Sequence, residues 1–161
     1  MSVTLPARAG TSSIRWRFAR FEDLTPLELH DAFQLRSAVF VVEQTCPFLD
    51  IDGADAKCWH LLGRKEGALV AYARLVPPNV KYPEPSIGRV VSAKDARRTG
   101  AGRALMKEAI AQADRLWPGK RLRIGAQMYL KAFYEGFGFT QSSEPYDEDG
   151  ILHIEMIRET R

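Results

Sequence analysis

Apolar residues recur along this chain at the two spacings that distinguish strands from helices. In residues 14–20 apolar and basic side chains alternate, which predicts a half-buried strand. Residues 57–63 and 68–76 predict two further strands, and residues 65–67 predict a hairpin turn between them. The first half of the chain therefore contains strands that pair as an antiparallel hairpin.

A helical pattern follows the first strand. Thr25 is suited to cap a helix, Pro26 suits its first position, and Glu28 completes a capping box. Downstream residues recur at helical spacing, namely Leu29, Ala32, Phe33, Arg36, Val39 and Phe40. We expect this helix to end near residues 42–44, before Pro47.

Residues 87–116 combine a strand, a basic turn and a helix. Residues 87–92 contain a β-branched run that predicts the strand, and the basic turn spans residues 97–103. One face of the following helix is apolar and carries Leu105, Met106, Ala109, Ile110, Ala113 and Leu116. Pro118 and Gly119 end this helix. The basic turn therefore lies at the amino terminus of a helix.

The rest of the chain continues the alternation of strands and helices. The pattern predicts a strand at 121–127, a short helix at 129–136, a strand beginning at 137–139, an acidic turn at 144–150 and a last strand at 151–157. This order predicts an α/β fold with a mixed sheet. Residues 1–13 are expected to form a mobile tail, and residues 14–161 a single domain.

Composition argues against several classes of protein. The chain has 23 Lys and Arg against 20 Asp and Glu, and a formal charge of +3 is too small to indicate nucleic acid binding. The apolar runs are too short to span a membrane, and no signal peptide is evident. Cys46 and Cys58 lack metal-site spacing and fit free thiols in a reducing cytoplasm. We therefore expect a cytoplasmic protein without a metal.

The basic turn has the chemistry of an anion-binding site. The first N–H groups of a helix lack internal partners and lie at the positive end of its dipole. Gly100 and Gly102 leave the backbone open to a ligand, and Arg97, Arg98 and Arg103 add charge. The spacing matches neither the P-loop nor G-x-G-x-x-G. On these residues alone, a diphosphate site and a plain basic helix cap are both open.

Two motifs make the chain similar to the GNAT family of N-acetyltransferases. Arg97-x-x-Gly100-x-Gly102 resembles the [QR]-x-x-G-x-[GA] loop that holds the pyrophosphate of acetyl-coenzyme A (acetyl-CoA). Residues 133–139 resemble the family's F-Y-x-x-x-G-F segment. A narrower resemblance to the ElaA-like branch rests on Arg36-x-x-Val39-Phe40-x-x-Glu43-Gln44, Cys46-Pro47-Phe48, Asp52-Gly53-x-Asp55, Ala126-Gln127 and Asp149-Gly150-Ile151-x-His153-x-x-Met156.

The resemblance implies a strongly twisted mixed sheet, flanked by helices, whose central parallel strands splay apart. These strands correspond to residues 87–92 and 121–127, and acetyl-CoA lies between them as co-substrate. The Val90 N–H then faces the thioester oxygen and stabilises the charge that develops there. The cofactor contacts implied are Val90, Val91, Ser92, Arg97, Arg98, Thr99, Gly100, Ala101, Gly102, Arg103, Gln127 and Lys131.

The implied chemistry is direct attack of a primary amine on acetyl-CoA in a ternary complex. Tyr134 matches the residue that protonates the departing thiolate in many members, although its position also fits an aromatic core. A carboxylate or imidazole takes the proton of the ammonium group, with Glu43 and His153 as the main candidates beside His60 and Glu155. The expected acceptor contacts are Arg36, Phe40, Gln44 and Asp52.

Acidic residues indicate the charge of the acceptor. Asp50, Asp52 and Asp55 follow the first helix, and four more acidic residues lie in the turn at 144–150, so two acidic walls would attract a cationic amine, free or on a peptide. Two alternatives are open: a module that binds acyl-CoA without turnover, and acyl transfer to another acceptor as in lactone-synthase relatives. A homodimer is in keeping with the family.

Overall fold

The computed structural model describes residues 13–160, so the predicted tail, apart from Ser13, lies outside the described residues. The first sheet consists of β1 (Arg15–Arg20), β2 (Trp59–Lys65), β3 (Ala68–Val76) and β4 (Ser86–Ser92), paired antiparallel in this order. The second sheet consists of β5 (Leu122–Gln127), β6 (Phe139–Gln141), β7 (Tyr146–Glu148) and β8 (Ile151–Arg158). Strand β8 pairs with the other three, with β5 on one side and with β6 and β7 on the other.

Three α-helices accompany these sheets in the described part of the chain: α1 (Pro26–Arg36), α2 (Ala101–Leu116) and α3 (Lys131–Glu135). The predicted capping box of α1 is confirmed, because Thr25 Oγ1 accepts from Glu28 N (3.1 Å) and Thr25 N donates to Glu28 Oε1 (3.0 Å). After α1 the chain widens into a π-helical segment, Ser37–Glu43. Such widened turns occur frequently at functional sites.

The apolar face of α2 forms the centre of the core. Its buried residues pack against β3 and β4, and the core continues into the inner face of the second sheet. The buried members on α2 are Ala101, Leu105, Met106, Ala109, Ile110 and Ala113, which matches the predicted face except for half-buried Leu116. Helix α2 thus connects the end of β4 to the start of β5 and holds both strands from one side.

Strands β4 and β5 begin side by side and then separate. A backbone hydrogen bond from Arg123 N, near the start of β5, to the oxygen of Pro85, the residue before β4, measures 3.1 Å, yet the two strands belong to different hydrogen-bonded sheets. Both strands continue along the same cleft, which has a volume of about 810 Å³. The mixed fold with splayed central strands is therefore confirmed.

The structure adds one strand that the sequence pattern did not indicate. Strand β7 lies within the predicted acidic turn and pairs with β8 across Asp149 and Gly150. These two residues have φ of 53° and 82°, the left-handed conformation that two-residue hairpin turns require. The hairpin brings Tyr146 opposite His153, next to the cleft.

Candidate active site

The cleft between β4 and β5 is lined by most of the residues expected to contact cofactor or acceptor. They come from the π-helical segment, from both splayed strands, from the start of α2, from α3 and from the β7–β8 hairpin. Those on the wall are Phe40, Glu43, Gln44, Asp52, Val90, Val91, Ser92, Arg97, Gly102, Gln127, Tyr134 and His153. Those not on the wall are Arg36, Arg98, Thr99, Gly100, Ala101, Arg103 and Lys131.

Strand β4 contains a β-bulge at the cleft. Tyr72 pairs with Val91 and Arg74 pairs with Gly88, so β4 has one residue more than β3 between these pairs. The bulge contains Arg89, whose φ of 50° is left-handed, and Val90. This backbone conformation costs about 1–3 kcal/mol for a residue other than glycine. Neither residue has a register partner on β3, and both line the cleft, so the regular ladder is interrupted where a ligand would bind.

The basic turn is an open helix end. Helix α2 begins at Ala101, and its amino-terminal cap is Gly100 with φ of 89°. The first intrahelical bond runs from Ala104 N to Gly100 O (3.0 Å), so the preceding amides of the first turn have no intrahelical acceptor. Arg97 and Gly102 line the cleft, whereas Thr99, Gly100 and Ala101 line a second cavity of about 320 Å³. The turn thus presents free N–H groups to an anion.

Glu43 and Arg97 form an ion pair that connects the π-helical segment to the basic turn. Both guanidinium Nη atoms of Arg97 donate to the carboxylate, with Nη2 at 2.7 Å from Oε2. The hydrogen bonds from Arg97 lower the pKa of the Glu43 carboxyl. In this geometry Glu43 is a weak proton acceptor, because the arginine already holds its charge.

Tyr134 lies in α3. Its ring packs in the core, and the residue is also part of the cleft wall. The ring packs edge-on against Phe133 (5.1 Å between centroids) and Phe139 (6.1 Å). Burial raises the pKa of Tyr134, so the hydroxyl keeps its proton at neutral and alkaline pH. The core and the acid interpretations are therefore compatible, because packing fixes the ring of a potential proton donor.

His153 forms a dyad with Glu148 on the hairpin. Nδ1 lies 2.8 Å from Ile151 O, and because a carbonyl only accepts, Nδ1 carries the donated proton. Nε2 lies 3.3 Å from Glu148 Oε2. The ring stacks on Tyr146 at 5.9 Å. Asp149 and Gly150 form a dipeptide typical of a two-residue hairpin turn. Strand pairing extended outward from that turn would have placed Glu148 on the strand next to the one that carries His153, so the sequence could have indicated this neighbour.

The prediction that Arg36 contacts the acceptor is wrong. Its side chain is fully buried behind the cleft wall. Nε donates to Asp50 Oδ2 (3.0 Å) and Nη1 donates to Asp55 Oδ1 (2.8 Å). Arg36 therefore connects α1 to the loop that follows it.

The acidic wall predicted at residues 50–55 is also wrong. Asp50 and Asp55 are buried, and Arg74 holds both oxygens of Asp52 at 2.9 and 2.7 Å. A further arginine, Arg89, donates to Asp50 Oδ1 (2.8 Å). The three carboxylates are thus neutralised by three arginines, although Asp52 remains part of the cleft wall.

Gln44 and Gln127 face each other across the cleft. Each side-chain amide donates to the other's oxygen at 3.3 Å, which connects the π-helical segment to the end of β5. Phe40 lines the same wall and packs beneath it against Val91 and its neighbours. All three side chains therefore border the cleft.

The other candidate bases and nucleophiles are engaged elsewhere. The His60 ring is buried, and its Nδ1 and Nε2 atoms are hydrogen-bonded to Tyr72 Oη (2.7 Å) and Asp55 O (2.8 Å) respectively. Burial lowers the pKa of His60. Glu155 lies 3.5 Å from Arg123. Both cysteines are buried, and burial raises the pKa of the Cys58 thiol to about 11, which disfavours a thiolate.

Metal-binding clusters and membrane-spanning helices are both absent from the described part of the chain. Within residues 13–160, no three His, Cys, Asp or Glu side chains come together in a way that could hold a metal ion. None of the helices in that range has the length and apolarity needed to cross a membrane.

Strand backbone along one side of the cleft and an open helix end at its rim suit an acyl group carried on a long phosphorylated arm. Fold and cleft thus define an acyltransferase. Residues 51–160 match the acetyltransferase (GNAT) domain family, which uses acetyl-CoA. The chain belongs to the GNAT acetyltransferase family.

Relatives cover almost the whole chain. A protein of Synechocystis, sll0451, is 49% identical over 89% of this chain and 94% of its own length. ElaA of Escherichia coli is 42% identical over 91% and 97%, and its crystal structure superposes with a TM-score of 0.86. An acyl-CoA N-acyltransferase from Pseudomonas aeruginosa is 42% identical, with a TM-score of 0.86 over 91% of this chain and 99% of that protein. The resemblance to ElaA is confirmed.

Proposed function

We propose that this protein transfers an acetyl group from acetyl-CoA to a primary amine by direct attack in a ternary complex. The observation that carries the proposal is the β4 bulge, which takes Val90 out of register with β3 on the cleft wall. A fixed N–H donor there would stabilise the thioester oxygen as negative charge develops on it. Family membership supports acyl transfer in general, and the bulge supports this particular arrangement.

The cofactor would lie along the cleft with its diphosphate at the start of α2 and its acetyl group at the β4 bulge. Its diphosphate binds the free amides of the first turn of α2, beside Gly102. Its pantetheine arm follows the backbone of Val90, Val91 and Ser92 between the splayed strands. The acetyl group then lies at the bulge, and the Glu43–Arg97 pair borders the diphosphate end.

Two residues would transfer protons: His153 on the side of the attacking amine, and Tyr134 on the side of the departing thiolate. His153 Nε2 takes a proton from the ammonium group, and Glu148 stabilises the resulting imidazolium. The free amine attacks the acetyl carbon, the C–S bond breaks, and Tyr134 gives its proton to the departing thiolate. The new amide nitrogen gives up its second proton, which water carries to the Tyr134 phenolate, and water removes the proton from His153 after the product leaves.

A screen of amines tests this function directly. The purified protein is mixed with acetyl-CoA and single amines, including polyamines, amino-acid amides and lysine peptides, and the release of free thiol is measured. We expect at least one amine to stimulate release well above the rate of acetyl-CoA hydrolysis. Tight binding of acetyl-CoA without turnover of any amine would instead support an acyl-CoA-binding module.

Gly102→Asp should weaken acetyl-CoA binding at least about tenfold, because it places a negative charge where the diphosphate binds. A side chain fits here, since an added Cβ would lie 3.9 Å from Phe133 Cζ, an ordinary contact. Gly102→Asn is the matched control, with the same size and no charge. Isothermal titration calorimetry should show a clearly smaller loss for Asn; equal affinity of all three proteins would remove the diphosphate site.

Asp149→Asn should lower kcat/KM for the best amine about two- to fivefold at low salt, and the difference should fade as salt rises. Asp149 lies on the cleft wall of the hairpin, the acidic side that remains after the loop carboxylates are paired. Asparagine tolerates its φ of 53°. Asp114→Asn, which removes a charge paired with Arg158, is the control. Identical salt profiles for wild type and Asp149→Asn would refute electrostatic attraction of the amine.

A further inference from the structure

We propose that Arg89 is a positioning residue, whose anchored side chain holds the β4 bulge and thereby keeps the Val90 N–H directed at the thioester. This inference rests on the proposed function and states how its main donor is held in place. It concerns the backbone of the bulge and not a contact between Arg89 and the acceptor.

The backbone at Arg89 is in a conformation that an arginine does not adopt without support. Its φ of 50° lies in the left-handed region, which β-bulges of one common type fill with glycine. Unlike glycine, arginine remains there only when surrounding contacts determine the conformation. The question is therefore what holds this residue.

The guanidinium group of Arg89 is fixed by the loop that follows the π-helical segment. Nε donates to Asp50 Oδ1 (2.8 Å), and Nη2 donates to Asp50 O (3.0 Å) and Asp52 Oδ2 (3.4 Å). The group also lies over the Phe48 ring, 5.5 Å from its centroid. Four contacts in different directions leave the side chain little freedom.

The loop carboxylates are themselves held from both sides of the bulge. Arg36, on α1, donates to Asp50, and Arg74, on β3, donates to Asp52. Arg74 is also the register partner of Gly88, the residue immediately before Arg89. The network thus ties the bulge to β3 and α1, as expected for a donor that must be in place before charge develops on its ligand.

Comparison of Arg89→Ala with Arg89→Gly tests the proposal, because both lose the anchor but glycine still adopts a positive φ without strain. With acetyl-CoA saturating, Arg89→Ala should lower kcat about tenfold or more, by the same factor for every amine. The dissociation constant of acetyl-CoA should change less than about threefold, since the diphosphate site is separate. Arg89→Gly should recover a clear part of kcat.

Arg64→Ala is the control for losing a partly buried arginine–aspartate pair, since Arg64, on β2, pairs with Asp31, on α1, away from the cleft. Its kcat should equal that of wild type. Equal losses in Arg89→Ala and Arg89→Gly, or losses that differ between amines and appear in KM, would overturn the proposal and make Arg89 an acceptor contact.

Crystal structures of both variants provide a readout that does not depend on turnover. We expect residue 89 to leave the left-handed region in Arg89→Ala and to remain there in Arg89→Gly. An unchanged φ in Arg89→Ala would overturn the anchoring role even if the wild type acetylates amines. Absence of acetylation by the wild type would instead refute the proposed function, while the φ values would still test the anchor.

Discussion

Tyr134→Phe is expected to lower kcat by about two orders of magnitude, the usual contribution of a general acid. The departing thiolate of CoA needs a proton, and Tyr134 is the buried hydroxyl on the cleft wall whose pKa is raised by burial. The acetyl-CoA dissociation constant should remain nearly unchanged, because the hydroxyl acts on charge that appears only during the reaction. Steady-state kinetics and calorimetry on the same protein measure both quantities.

Tyr129→Phe is the matched control for this prediction. Tyr129 also lines the cleft, but the residue is 73% exposed, so water can replace its hydroxyl. We expect less than a threefold change in kcat for the control, about the size of an ordinary surface effect. If Tyr134→Phe changes KM alone, Tyr134 is a packing or binding residue and another group supplies the proton.

Arg36→Met should lower the free energy of unfolding by about 3–5 kcal/mol, the cost of removing one partner from a buried ion pair. The change keeps most of the side-chain volume but removes one arginine donor from each of Asp50 and Asp55, which retain only Arg89 and Arg74. Burial alone would raise the pKa of Asp55, yet the hydrogen bond from Arg36 and the nearby arginines lower it overall. Asp55 is therefore an ionised group that depends on its arginines.

Arg17→Met is the control, because Arg17 pairs with Glu28 in an exposed position where an ion pair contributes about 0–1 kcal/mol. Urea denaturation of the two variants and the wild type gives the free energies. Equal small losses in both variants would mean that the buried network contributes no more than a surface pair. Because Arg36 lies off the cleft wall, Arg36→Met tests the stability of the fold without removing a group that lines the cleft.

Features that depend on neighbours close in sequence could be predicted without a structure. The capping box at Thr25 and Glu28, the apolar face of α2 and the open turn at Gly100 all follow from spacings of a few residues. The motifs shared with the GNAT family also allowed the splayed strands to be predicted, because members of one family share a tertiary fold. The observed strand bounds lie within about two residues of the predicted ones, the usual uncertainty of such boundaries.

Charges were predicted less well, because an ionisable side chain takes its role from partners that are distant in sequence. Arg97 and Glu43 are separated by 54 residues and Arg89 and Asp50 by 39, and no local pattern pairs them. These partners turned the expected acidic wall at residues 50–55 into a neutral network and moved Arg36 from the acceptor site to the interior.

The sequence by itself determined the elements other than β7, the basic turn and the family, since periodicity and motif spacing are properties of a linear chain. Only the tertiary structure decided which carboxylates remain free, that Glu148 stands beside His153, and that the extra residue of β4 is Arg89. The physical reason is that desolvation, ion pairing and strand register depend on distances across the fold. Those distances are set when β4 and β5 separate and the loop from residue 46 to residue 55 packs against β4.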